Sequence, residues 1–414
     1  MKGNLSKQNR IISLVFVLLP ILSIYQCPGI PQISLADVAG VILAFISILS
    51  SRKYRITINS YVSFTMYLVL LSIILTGAIG EYSLGQTISR LLRLILYLLL
   101  FISVAKEHVD IDYFGEAYVK VCILASIYLF VQFGAKLFFN LSLPSTFTNL
   151  KIMYTNFTGN AYNSVLDRTY VYRPRGFFLE PAHFSRYILY GIPILMYKET
   201  KRKPVKIGLL SLAVLASQSA IGYIILASVG IAWAFFSRNT RNVRQTVFLI
   251  LMFIVFIILS LRYGLLENVL WRTSGLNLEV ASDSTVRISR GFVIYDNLPP
   301  LFKLIGTGLG NFDKFSQKFD IRTFFDMGTR VAVAQGDEYM SLISGTLVYG
   351  GVIGIVLFLY SLFSARRKGS KLQLYYYTIF ILIGLSSNIK YYSPEFLLGM
   401  SFIYYLSNTN NQYD

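Results

Sequence analysis

Charge is scarce in this sequence. Lys, Arg, Asp and Glu make up 14% of its 414 residues, against roughly 25% in soluble globular domains. Histidine and cysteine are nearly missing, at two residues each. His108 and His183 are too few for a His-rich metal cluster. Cys27, near a helix end, and Cys122, inside an apolar run, suggest neither a disulfide framework nor a metal site. Acidic residues are the scarcer charge, 20 against 38 basic, for a net charge of +18. In a soluble protein that excess points to nucleic acid. Here much of it lies in short loops between apolar runs, so the positive-inside rule explains it and no nucleic-acid partner is expected. What the chain has in quantity is apolar surface, with 55% hydrophobic residues and a mean hydropathy of +0.57. That excludes a disordered chain and describes a polytopic membrane protein.

Spans of about 20 apolar helical residues cross a bilayer. Twelve segments are candidates: 11–25, 34–50, 60–77, 87–105, 114–135, 183–197, 207–218, 220–236, 246–262, 338–363, 372–388 and 395–407. The pair 207–218 and 220–236 is flanked by basic stretches on both sides, which predicts a short hairpin turning at Ser217-Gln218-Ser219. The N-terminal basic-then-apolar run lacks a small-residue cleavage site and reads as a retained first helix. Lys and Arg crowd the segments assigned to the cytoplasm, whereas the short outward loops 26–33, 78–86 and 389–394 hold only Lys390. The expectation is an all-α, single-domain transmembrane bundle over 1–414, both termini cytoplasmic, with two long, partly helical outward loops, 136–182 and 263–337. No internal repeat is visible, and the two long loops fall at unequal places, which argues against the doubled six-helix plan of many transporters.

Four constellations carry candidate chemistry. In the first outward loop, Tyr172-Arg173-Pro174-Arg175-Gly176 leads to Glu180-Pro181, where a helix should start. The next helix carries His183, Arg186 and Tyr190 on one face. An arginine inside a span marks a functional site by default; the plainer alternative is that these arginines grip lipid head groups. In the second loop, Arg287 and Arg290 point away from an apolar stripe of Ile288, Phe292 and Tyr295. Two guanidinium forks suit a pyrophosphate, or lipid phosphates if the helix is merely interfacial. The following Gly306, Gly308 and Gly310 read as a tight turn rather than a nucleotide loop. Third, Asp337 and Glu338, beside Tyr339, stand at the mouth of span 338–363 and either cap it or supply a general base. Fourth, Arg90 and Arg93 lie one turn apart and either snorkel or join an anion site. Asp110-Ile111-Asp112 has the DxD form of a metal site but falls on the cytoplasmic side, away from the arginines.

In order and spacing these elements resemble the Wzy-type O-antigen and polysaccharide polymerases, within the wider O-antigen polymerase/ligase family. The likeness runs through Arg173 to Pro181, Ser217 to Gly222, Arg287 and Arg290 with Gly306 to Gly310, and Gly350 to Gly354, about residues 170 to 360. Many members carry a His-Asn pair where this chain has Asp337-Glu338, a departure that lowers the case for a ligase. The resemblance implies a glycosyltransferase at the outer face of the bacterial cytoplasmic membrane. It would transfer a growing glycan from undecaprenyl pyrophosphate onto a lipid-linked repeat unit. Arg175, Arg287 and Arg290, supported by Arg173, Arg186 and Arg90, would bind the pyrophosphate. Glu338, then Asp337 and Glu180, would be the base, and His183, Tyr190 and Tyr339 would contact substrate. No metal or other cofactor is implied. The partners would be the lipid-linked oligosaccharide, membrane lipids and a chain-length regulator protein. The alternatives are a ligase of the same family and a lipid-linked oligosaccharide flippase or transporter.

Overall fold

The computed structural model describes residues 2–50, 60–79, 84–146, 149–153, 172–197, 203–236, 283–310, 312–319, 321, 340–366 and 370–406. Within them the chain is helical, apart from a short antiparallel hairpin, β1 (Gln26–Cys27) and β2 (Ile30–Ser34), that an all-α expectation does not include. The hairpin follows α1 (Lys2–Leu22) and leads into α2 (Leu35–Ser50). It is stitched to a distant loop: Gln26 N donates to the Lys151 carbonyl at 2.9 Å and its side chain to Ile152 O at 3.0 Å. Ser34 and Asp37 then cap α2 reciprocally, Ser34 N donating to Asp37 Oδ2 (2.9 Å) and Asp37 N to Ser34 Oγ (3.1 Å).

Next come α3 (Ser60–Ile79), α4 (Leu84–Leu99, continuing as a π-helix to His108) and α5 (Ile111–Phe139). Asp110 is the N-cap of α5, accepting from Tyr113 N at 3.1 Å. That is a structural use for the DxD pair. Then follow α6 (Pro181–Tyr197), α7 (Lys203–Ala216) and α8 (Ala220–Phe236). The α7–α8 break falls at residues 217–219, as expected for a hairpin, and Ser217 Oγ meets Ser185 Oγ of α6 at 3.0 Å.

Among the described residues four helices are long and apolar enough to cross a membrane: Ser60–Gly77, Thr87–His108, Ile111–Phe139 and Leu342–Ser364. Large apolar side chains on them face outward, Ile74, Leu92, Phe138 and Phe363 among them, as lipid contact requires. Other expected spans are shorter helices: 34–50 holds α2 with 16 residues, and 207–218 overlaps α7, which runs over Lys203–Ala216 with 14. The expected span 246–262 lies outside the described residues.

The second long loop is partly helical, with α9 (Asp283–Asp296), α10 (Pro300–Ile305) and α11 (Phe312–Lys318) packed near α12 (Leu342–Ser364). The face expected for α9 is corrected: Phe292 is exposed, while Arg290 and Ile294 are buried. Gly291 explains the inversion. A Cβ there would stand 2.5 Å from the Ser344 side chain, so only glycine lets α9 press this close to α12. The glycine run is a clamp. Gly306 (φ +87°) lets Thr307 N and Gly308 N reach the Val348 and Tyr349 carbonyls at 2.9 and 3.0 Å. Gly351 (φ +63°) kinks α12 at the same place, and Tyr67 OH of α3 seals the joint on Ile305 O (2.7 Å) and Gly350 O (3.1 Å). Ser72 of α3 and Thr87 of α4 pack beside Gly308 and Gly310. The bundle ends with α13 (Lys371–Ser386) and α14 (Pro394–Ser401, continuing as a π-helix to Leu406).

Candidate functional site

Two helix starts with the same grammar build the site. At α6, the Glu180 carbonyl accepts from Phe184 N (3.2 Å), which makes Glu180 the N-cap with Pro181 first in the helix. At α14, Ser393 Oγ accepts from Phe396 N (3.3 Å), and Pro394 and Glu395 follow in the first turn. The two starts face each other. Arg186 Nη2 reaches Glu395 Oε2 at 3.1 Å, His183 Nδ1 lies 3.5 Å from Glu395 Oε1, and His183 Nε2 lies 4.0 Å from Glu180 Oε2. Arg186 is 5% exposed, so this pair acts with little screening by water.

These residues line a cavity of about 320 Å³, closed on the other side by α2, α4 and the 387–393 loop. Asp37 is anchored there by Arg93 Nε at 3.1 Å and by Tyr97 OH at 2.8 Å. Arg93 also donates to the Gln32 carbonyl. Lys390 and Arg90 both approach the ring of Tyr392, at 5.9 and 6.0 Å from its centroid. Beneath the loop Tyr391 is buried against Thr346, and burial raises its phenol above the ordinary value. It therefore serves as a neutral hydroxyl.

Of the residues singled out by sequence, the structure brings Glu180, His183 and Arg186 together on this cavity. Arg90 stands at its edge through Tyr392. Tyr190 shares the α6 face with His183 and Arg186 but is buried, stacked on Phe402 at 4.9 Å. Arg173 and Arg290 are not among the lining residues, and Arg290 is buried against the bundle. Arg175 is turned into its own loop, with Nε donating to Ser145 Oγ at 2.8 Å. Arg287 belongs to α9, but its side chain lies outside the described residues, as do Asp337, Glu338 and Tyr339. Among the described residues no group of three His, Cys, Asp or Glu stands together to hold a metal. Sequence reasoning missed Asp37 and Glu395. The available signals were local, a Ser34-x-x-Asp37 capping box and a Ser393-Pro394-Glu395 helix start.

The buried Gln132 side chain holds the backbone of the Arg173–Gly176 loop. Gln132 Oε1 accepts from Arg175 N (3.1 Å) and Gly176 N (2.9 Å), and its Nε2 donates to Gly176 O (3.2 Å). Gln132→Leu is expected to cost about 2–3 kcal/mol, because it orphans buried backbone donors. A lowered melting temperature with faster proteolysis of this loop is the expected readout; unchanged values would refute the anchoring role.

Comparison with models of known protein families finds no match for the chain, and comparison with curated proteins finds none either.

Proposed function

We propose that the chain is a polysaccharide polymerase of the bacterial cytoplasmic membrane, with about twelve spans and its site on the outer face. The observation that carries the proposal is convergence. Glu180, His183 and Arg186, drawn from the loop and helix that resemble the polymerases, meet Asp37, Arg93, Lys390 and Glu395 on one cavity. The 389–394 loop, assigned to the outside, lines the cavity, and Arg93 on its wall donates to the Gln32 carbonyl of the 26–33 loop. Charges gathered at one end favour chemistry at one face over a polar path through the membrane, as a flippase needs.

In the proposed reaction an acceptor hydroxyl attacks the anomeric carbon of the donor glycan. The new C–O glycosidic bond forms as the bond from that carbon to the pyrophosphate oxygen breaks. Undecaprenyl pyrophosphate leaves with the electron pair, and the hydroxyl proton passes to a carboxylate. Cations stabilise the leaving group, where negative charge grows. Glu180, half-exposed on the cavity, is the described carboxylate best placed to take the proton; Glu338 and Asp337 are the further candidates.

Deletion of the gene tests the proposal. In a host making lipopolysaccharide, the glycan ladder is expected to collapse to a single repeat on its final acceptor. A full ladder stranded on the lipid carrier would make the protein a ligase. Loss of the single surface repeat would make it a flippase. In complementation, Glu180→Gln is expected to lower polymer formation about a hundredfold with normal protein levels; wild-type chain length would remove Glu180 from the mechanism.

A further inference from the structure

The walls of the cavity are electrically balanced. Arg93, Arg186 and Lys390 face Asp37, Glu180 and Glu395. Arg93 is matched by Asp37, and Arg186 by Glu395, each at 3.1 Å. His183 lies between two carboxylates, and Arg90 stands over the ring of Tyr392 at the edge. A pyrophosphate gains little from arginines whose charge is already met, and Glu180 and Glu395 repel it.

Polar valences nevertheless remain. Arg186 Nε and Ser387 Oγ are buried, 5% and 2% exposed as residues, and neither atom makes a hydrogen bond within the protein. Both residues line the cavity. The first atom only donates; the second donates and accepts. Beside them stand carboxylate oxygens that accept, the Lys390 ammonium that donates, and the ring of Tyr392. Donors and acceptors together, with an aromatic face and balanced charge, match an uncharged, hydroxyl-rich ligand.

We propose that this cavity is the acceptor subsite, holding the sugar whose hydroxyl attacks. The donor's pyrophosphate then falls to other arginines, Arg173 and Arg290, neither of which lines the cavity. The assignment rests on the polymerase reading and replaces Arg186 as a pyrophosphate ligand. The carboxylates of Glu180 and Glu395 accept from the remaining hydroxyls.

The test uses the full-length protein in lipid nanodiscs and two probes, inorganic pyrophosphate and the host's repeat unit freed from its carrier as a reducing oligosaccharide. Saturation-transfer NMR on the wild type is expected to show saccharide binding that excess pyrophosphate leaves unchanged. Glu395→Gln, which keeps the shape of the side chain, is expected to weaken saccharide binding about tenfold while co-purified undecaprenyl pyrophosphate stays at the wild-type level. Displacement of the saccharide by pyrophosphate, a wild-type competition that needs no variant, would overturn the subsite and leave the polymerase reading intact. Unchanged saccharide affinity in Glu395→Gln would overturn it equally. Failure of the wild-type protein to join lipid-linked repeat units in vitro would instead overturn the polymerase reading itself.

Discussion

Gly351→Ala is expected to leave little folded protein. Gly351 sits inside α12 at φ +63°, where a non-glycine residue pays for its Cβ. That Cβ would stand 2.6 Å from Gly306 N and closer still to the Leu304 carbonyl. Both are backbone atoms, so no side chain can swing away. Relief would pull the 306–310 loop off α12 and break the hydrogen bonds from Thr307 N and Gly308 N. The combined cost, about 4–5 kcal/mol, approaches the whole stability of many proteins. Gly77→Ala is the matched control. Gly77 lies in α3 with nothing within 4 Å of its added Cβ, so alanine there is expected to be neutral or to stabilise by up to about 1 kcal/mol. Size-exclusion profiles and melting curves in detergent would separate the two. A wild-type melting temperature for Gly351→Ala would mean that the clamp is not as described.

Asp37→Ala carries the second large effect. Asp37 is 7% exposed and accepts from Arg93, Tyr97 and Ser34 N, which joins α2, α4 and the β-hairpin at one wall of the cavity. The substitution strips Arg93 of its carboxylate in a buried setting, at an expected cost of roughly 3–5 kcal/mol. Asp37→Ala/Arg93→Met is expected to recover much of that loss, since the stranded charge goes too. A double variant no more stable than the single one would show that the pair is not the source of the effect. Neither variant is expected to polymerise normally, because both residues shape the cavity wall.

What was legible in the sequence was local. Glu180-Pro181 marks a helix start, and Ser217-Gln218-Ser219 marks a break, because caps and breaks are decided within one turn of backbone. The apolar stretches of α3, α4, α5 and α12 were equally plain. The β-hairpin was hidden because its support, the strand-like contact of Tyr25 with Ile152, comes from far along the chain. The face of α9 was misjudged because the apolar stripe of Ile288, Phe292 and Tyr295 suggested one buried side. The close approach of Gly291 to Ser344 selected another. Asp37 and Glu395 look like ordinary capping acids until Arg93 and Arg186, on other helices, are brought against them. Pairings of this kind have no spacing rule, so reading along the chain does not find them.

The Arg186–Glu395 pair also sets a timetable for synthesis. Arg186 leaves the ribosome 209 residues (395 − 186) before Glu395, its counter-charge. At roughly 5–20 residues per second the wait is on the order of ten to forty seconds. During that interval α6 carries a cation whose native neutraliser does not yet exist. Assembly of this wall is thus a late event that waits for residue 395.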